Sequence, residues 1–315
     1  MRTLAVKIRE TMRLFNLKNK TKLTHIKESP FKLEKEIQRL TEDNLKNIFS
    51  LNFIKSEFTL NNFRIDTLVY DNDSKAFVII EYKRDKNFSV IDPGYAYLSL
   101  MLNNKADFIL EYNETQKNML KREKVDWSQS KVIFISPSFT VYQKEAINFK
   151  DLPIELWEIK KYENDTISYS RICASGSKES INTISQDDTM EKVSKEIKVY
   201  TEAEHIEMGS DESIELYEKL KIYLLNLENI EIRPRKKYIA FVGNTNIIDI
   251  QIQRSALKIW LNLCKGELDD PKGIARNVSN IGHWGNGDYE IKFSNDENIE
   301  YILSLIKQAY KKNKK

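Results

Sequence analysis

The sequence predicts an α/β domain followed by a smaller α+β domain built on an antiparallel sheet. Three observations predict it. An apolar stripe at helical spacing precedes three segments rich in β-forming residues, one of them a continuous apolar run. Strict apolar–polar alternation over Leu257–Cys264 marks a strand in the second half. A last amphipathic stretch, with Ile299, Ile302, Leu303 and Ile306 on one face, closes the chain.

At roughly 150 residues per domain, 315 residues suggest two domains. The expected boundaries are 1–173, an acidic polar linker over 174–210 that holds one short helix, and 211–315. The net charge of +3 is divided unevenly. Residues 1–173 hold 29 basic and 24 acidic side chains, 174–210 hold 4 and 8, and 211–315 hold 17 and 15. A mildly basic first domain is compatible with a polyanionic partner, though solvated surface lysines explain it equally.

Two cysteines (Cys173, Cys264) and three histidines (His25, His205, His283) exclude a four-cysteine zinc cluster and a disulfide scaffold. Any metal site then rests on carboxylates, which suit Mg2+ or Mn2+ better than zinc. No run approaches 18 apolar residues, and MRTLAVKIRE lacks an apolar signal core, so a cytoplasmic location is expected.

Leu33, Ile37, Leu40 and Ile48 define one helix over 33–49, with Glu36 at the edge of the apolar stripe and Glu42 facing away. Strands follow at Asn52–Thr59, Arg64–Tyr70 and Ala76–Tyr82, the last two joined by the turn sequence DNDSK. A hairpin centred between Asp73 and Ser74 sets Asp66 opposite Glu81. Period-two alternation puts Lys83 on the same face as Glu81. Opposed like charges are destabilising unless a cation or proton lies between them, so the pair suggests a divalent cation.

The stretch FRIDTLVYDNDSKAFVIIEYKRDKN, with an Asp, then Glu-x-Lys at the end of an apolar strand, resembles the PD-(D/E)XK nuclease superfamily. The resemblance implies an α-β-β-β-α-β core with a mixed sheet and flanking helices. It implies that Asp66 and Glu81 bind the metal, that Glu36 aids metal or water binding, and that Lys83 positions the attacking water. Relatives of this type carry a Gln four residues before a Tyr; here Tyr97 is present and Pro93 stands at the Gln position. Asp92-Pro93 reads as an N-cap followed by the first helical residue. Asp92, Tyr95 or Tyr97 could compensate, or the tyrosines could pack the helix. Arg64, Lys83, Arg84 and Lys86 are candidate phosphate contacts, with solvated loop charge as the alternative for Arg84 and Lys86. Further strands are expected at Phe108–Tyr112, Lys131–Ser136 and Ile154–Tyr162, with a helix at 93–103.

After a helix at Ile214–Leu225, RPRKKYIAFVGNTNIIDIQIQ reads as two strands around a GNTN turn. The run LDDP…RNVSNIGHWGNGDYE resembles an uncharacterised domain found C-terminal to restriction-type nucleases and in proteins once called predicted transport proteins. His283, Trp284 and Asn286 in its glycine-rich turn could read a base, or Trp284 could pack inward. Arg233, Arg235, Lys236 and Lys237 form a dense basic cluster, either a phosphate-binding edge or a charged sheet edge.

The expected function is metal-dependent endonucleolytic hydrolysis of DNA in restriction or phage defence, with the second domain serving target recognition or homodimerisation. The alternatives are a catalytically impaired nuclease fold that binds nucleic acid, which Pro93 favours, and an assembly protein.

Overall fold

The computed structural model describes residues 13–85, 88–149, 151–172, 180–181 and 188–314. A hairpin of β1 (Leu14–Lys18) and β2 (Lys22–Ile26) forms its own two-stranded sheet. β3 (Glu28–Ser29) then joins the edge of a seven-stranded sheet. The helix expected over 33–49 is two helices, α1 (Glu34–Glu42) and α2 (Leu45–Phe49). Asn44 breaks it: its backbone leaves helical geometry, and its side chain donates to the Leu40 carbonyl at 2.9 Å.

β4 (Asn52–Leu60), β5 (Phe63–Asp71) and β6 (Ala76–Tyr82) run antiparallel. The β5–β6 register is the one the turn predicts, with Thr67 opposite Ile80 and Asp71 opposite Ala76. Asp71 shapes the turn by accepting the amides of Asp73 (2.9 Å) and Ser74 (3.3 Å), and Lys75 takes a left-handed φ of 56°. α3 (Ile91–Asn103) and α4 (Lys105–Gln116) carry the chain to β7 (Lys131–Ser136), parallel to β6. After α5 (Val141–Ala146), β8 (Ile154–Tyr162) adds parallel to β7, and β9 (Ile167–Ile172) pairs antiparallel with β8. The sheet is mixed and covered by helices on both faces, which explains why every residue of β6 is buried. Phe77 and Ile79 enter the core under α3 and α4, while Val78, Ile80 and Tyr82 enter the one under α1 and α2.

Two expectations fail here for local reasons. Phe108–Tyr112 is helical, within α4: Phe108 and Tyr112, four residues apart, are buried together, while Leu110 between them is 56% exposed. Pro93 is the third residue of α3 rather than the first, because the helix starts at Ile91 after Val90. Proline fits there because the first helical amides have no carbonyl partner, and the bonding begins with Gly94 N–H to Val90 O at 3.1 Å. Gly94 lies so close to β8 that a Cβ would fall 2.4 Å from Ile154 Cδ1.

The segment expected as a linker holds two helices among its described residues. α6 (Asp188–Glu196) packs on α3 and sinks Val193, followed by Ile197, into the core of the first sheet. α7 (Glu202–Ile206) opens with a Thr201–Glu204 capping box and packs on the second sheet. That sheet follows α8 (Asp211–Leu225) and comprises β10 (Glu231–Pro234), β11 (Ile239–Val242), β12 (Asn246–Gln253), β13 (Ala256–Leu261), β14 (Arg276–Asn277) and β15 (Tyr289–Phe293). It is antiparallel throughout, in the order β10-β11-β12-β13-β15-β14. α8 and α9 (Ile299–Asn313) close its core through Leu216, Leu220, Ile302 and Ile306. Among the described residues no helix is long and apolar enough to cross a membrane.

Candidate active site

The ladder between β5 and β6 stops at Thr67 and Ile80, and side chains replace the backbone bonds beyond it. The Asp66 amide donates to Glu81 Oε1 at 3.1 Å, and the Tyr82 amide donates to Asp66 Oδ2 at 3.0 Å. Lys83, held by its amide to the Ile135 carbonyl at 2.9 Å, turns its Nζ to 3.4 Å from Glu81 Oε2 and 3.9 Å from Asp66 Oδ2. The same Nζ donates to the Tyr82 carbonyl at 2.8 Å. Asp66, Glu81 and Lys83 thus meet at one point, at the end of a strand whose other side chains are all buried.

Glu81 is 2% exposed. Burial first, and the charge of Asp66 second, push its carboxyl up to about 7 against the pull of Lys83. The Tyr97 hydroxyl, 3.5 Å from the Arg64 carbonyl, comes near the same carboxylate from α3 and favours its charged form, and burial with the Glu81 charge raises its own pKa. Tyr97 therefore stands in the site, while Tyr95 is buried in the core. An acid pair beside one lysine suits a hard divalent ion, which takes one or two carboxylates and completes its shell with water and phosphate oxygens. Among the described residues no three His, Cys, Asp or Glu side chains gather as a metal cage. The carboxylates joined here through backbone amides are two, Asp66 and Glu81.

The helix carboxylate nearest this point is Glu34, not Glu36. Glu34 Oε1 lies 4.0 Å from Lys83 Nζ, and its Oε2 accepts the Arg84 amide at 2.9 Å. Glu36 pairs with Lys161 at 2.8 Å and accepts the Lys32 amide at 3.2 Å; the Lys161 hydrogen bond lowers its pKa. Glu34 and Glu36 are about 200° apart on the helix, so they flank the apolar stripe on opposite sides, and the packing of α1 decides which flank meets Lys83. Glu42, expected in water, accepts Thr67 Oγ1 at 2.6 Å.

Gln38 went unrecognised in the sequence. Its Nε2 lies within hydrogen-bond distance of the Asp66 carbonyl (2.9 Å), Glu42 Oε1 (3.0 Å) and Ser56 Oγ (3.1 Å). It ties α1 to the strand that carries Asp66. It lies about 100° around the helix from Ile37, outside the apolar stripe, so the sequence carried no signal of its burial.

The candidate phosphate contacts separate. Arg64 is exposed and pairs with Glu57 at 2.9 Å; Arg84 is exposed and donates to the Lys32 carbonyl at 2.8 Å. Lys86 lies outside the described residues. The basic cluster of the second sheet is not a free edge. Arg235 forms a buried ion pair with Asp71 at 3.1 Å, and Lys236 reaches Asp126 at 3.3 Å. Both join the two sheets, a use invisible without knowing that the hairpin turn lies opposite. Arg233 pairs with Glu231 at 3.0 Å, while Lys237 lies 4.8 Å from the ring centre of Trp284.

Trp284 is 54% exposed, and it is Trp260 that packs inward, against Gly285. His283 Nδ1 meets the Ile281 carbonyl at 2.7 Å. Asn286 is held within the fold: its amide and its Nδ2 donate to Asp249 Oδ2 at 2.6 and 2.9 Å. Asp249 is fully buried, and burial pushes its carboxyl up to about 7.

Residues 202–313 match the family model described as a domain of unknown function (DUF5655). Over 302 residues the chain is 56% identical to an uncharacterised protein of Haemophilus influenzae, covering 95% of this chain and 100% of that one. Two solved structures share local similarity. One is a repair endonuclease from Pyrococcus abyssi, at 20% identity and a TM-score of 0.22 over 38% of this chain and 45% of that one. The other is an EndoMS–dsDNA complex, at 19% identity and 0.22 over 48% and 63%. The chain spans less than two thirds of either structure, and the chemistry of the site rests on its own residues.

Proposed function

The chain belongs to one family with the Haemophilus influenzae protein, and from the site we propose that it is a metal-dependent nuclease of PD-(D/E)XK type acting on DNA. The observation that carries this reading is the meeting of Asp66, Glu81 and Lys83 where β5 and β6 part. Asp66 and Glu81 would hold Mg2+ or Mn2+, which polarises a phosphoryl oxygen and lowers the pKa of water.

The chain's own groups do the rest. Two backbone amides fix the carboxylates from behind, so their remaining oxygens are oriented before any ligand arrives. Lys83 offsets the carboxylate pair in the free protein and supplies positive charge where a pentavalent phosphorus would form. Glu34 holds Lys83 from the helix side, and Tyr97 supports Glu81 where the resemblance expects a Gln side chain. Arg64, Arg84 and Lys83 are cations near the acid pair that would meet a phosphate backbone. Trp284 and Lys237 form an exposed aromatic–cation pair suited to a base.

The test is cleavage of supercoiled and linear DNA with Mg2+ or Mn2+, comparing the native chain with Asp66→Ala and Lys83→Ala. Metal-dependent nicking lost in both variants supports the assignment. Cleavage without metal, or equal cleavage by all three proteins, overturns it.

A further inference from the structure

A cavity of about 180 Å3 lies between the two sheets, far from the carboxylate pair. Lys131 opens β7 opposite Val78, whereas Glu81 lies opposite Phe134 three residues on, so the cavity is at the other end of the strands. Its wall carries Lys131, Arg171, Lys198, Arg233 and Arg235, with Glu155 as the one acidic side chain. Glu155 is shared by Lys131 at 2.7 Å and Arg171 at 3.3 Å. Arg235 is paired with Asp71, Lys198 with Glu204 at 3.1 Å, and Arg233 with Glu231, all carboxylates outside the wall.

Burial, together with the neighbouring charges of Arg235 and Arg171, lowers the pKa of Lys131 against the pull of Glu155 and Asp71, so the cations are crowded.

We propose that this cavity binds a small phosphate-bearing anion, held by Arg171, Arg235 and Lys131. Guanidinium forks match tetrahedral phosphate oxygens, and five cations against one carboxylate among the described residues of the wall favour an anion. The volume suits a phosphate group with at most a small attached moiety, and Tyr200 and Pro234 in the wall would face that moiety. The ligand would touch both halves of the chain, since Lys131 and Arg171 belong to the first sheet and Arg233 and Arg235 to the second.

Isothermal titration of the full chain with inorganic phosphate, and separately with adenosine 5′-monophosphate, tests this. Saturable binding is expected, weakened on the order of tenfold by Arg171→Gln and several-fold by Lys131→Gln, both monitored for folding by thermal melting. Tighter binding of the nucleotide would identify an attached moiety; equal binding would identify phosphate alone. Glu81→Gln should leave either affinity unchanged, which separates this site from the nuclease reading. Absence of saturable binding by both probes at millimolar concentration, or unchanged affinity in both cavity variants, overturns the proposal.

Discussion

The Asp66 amide donates to the Glu81 carboxylate at 3.1 Å, so the two acids are joined through backbone as well as through charge. Glu81 is kept against burial and against Asp66 by Lys83 and Tyr97. Such a carboxylate is a stability liability retained at a site where a cation would relieve it.

Glu81→Gln should therefore separate stability from activity. Gln keeps an acceptor for the Asp66 amide and removes the buried charge. At pH 8 the variant is expected to melt roughly 2–4 °C higher, on the order of 1 kcal/mol, while metal-dependent cleavage falls on the order of 10²-fold. Calorimetry and a cleavage assay on the same preparation check both.

Stability should also carry the mark of Glu81 and Asp249 in its pH dependence. Both have a folded pKa near 7, above the ordinary values of 4.5 and 3.8 for these side chains. The folded protein therefore binds more protons than the unfolded chain between those limits, and stability falls as pH rises through that window. Above pH 7 their contribution is flat. A melting series from pH 4 to 8, repeated with Mg2+, should show the metal raising stability chiefly at the alkaline end, where Glu81 is ionised.

The two helix carboxylates give opposite expectations. Glu34→Ala removes the partner at 4.0 Å from Lys83 and should lower cleavage several-fold. Glu36→Ala removes a half-exposed pair with Lys161, worth about 0–1 kcal/mol, and should leave cleavage near the native rate. A larger loss in Glu36→Ala than in Glu34→Ala would reverse the assignment.

Arg235→Leu should destabilise the protein by about 3–5 kcal/mol, because it strands the buried Asp71 carboxylate. The double variant with Asp71→Leu should recover part of that loss, although Asp71 also shapes its turn. Denaturant unfolding of the four proteins of this cycle measures the coupling.

Much of this was legible in the sequence because it is local. The β5–β6 register follows from a turn of five residues, and with it the opposition of Asp66 and Glu81. The strands Lys131–Ser136 and Ile154–Tyr162 were marked by apolar content alone. What was misread depended on contacts across the fold. Glu34 and Glu36 flank the apolar stripe on opposite sides, and only the packing of α1 set Glu34 rather than Glu36 beside Lys83. Phe108 and Tyr112 suit strand or helix, and burial under the sheet selected the helix. Arg235 looked like surface charge because Asp71, its partner, is far away in the chain. Gln38 resembles any polar residue until the carbonyl above it is known.

The β5–β6 hairpin carries a docking point at one end and the acid pair at the other. Asp71 at the turn is locked to Arg235, and the Tyr238 hydroxyl donates to the Asp73 carbonyl at 3.1 Å. About five residues along, some 17 Å at strand rise, stand Asp66 and Glu81. The second sheet is thus clamped to the handle of the element whose tip holds the carboxylates. It cannot rotate against the first sheet without breaking a buried ion pair or levering that hairpin. The strand pair that carries the two acids is thus anchored, at its turn, in the other half of the molecule.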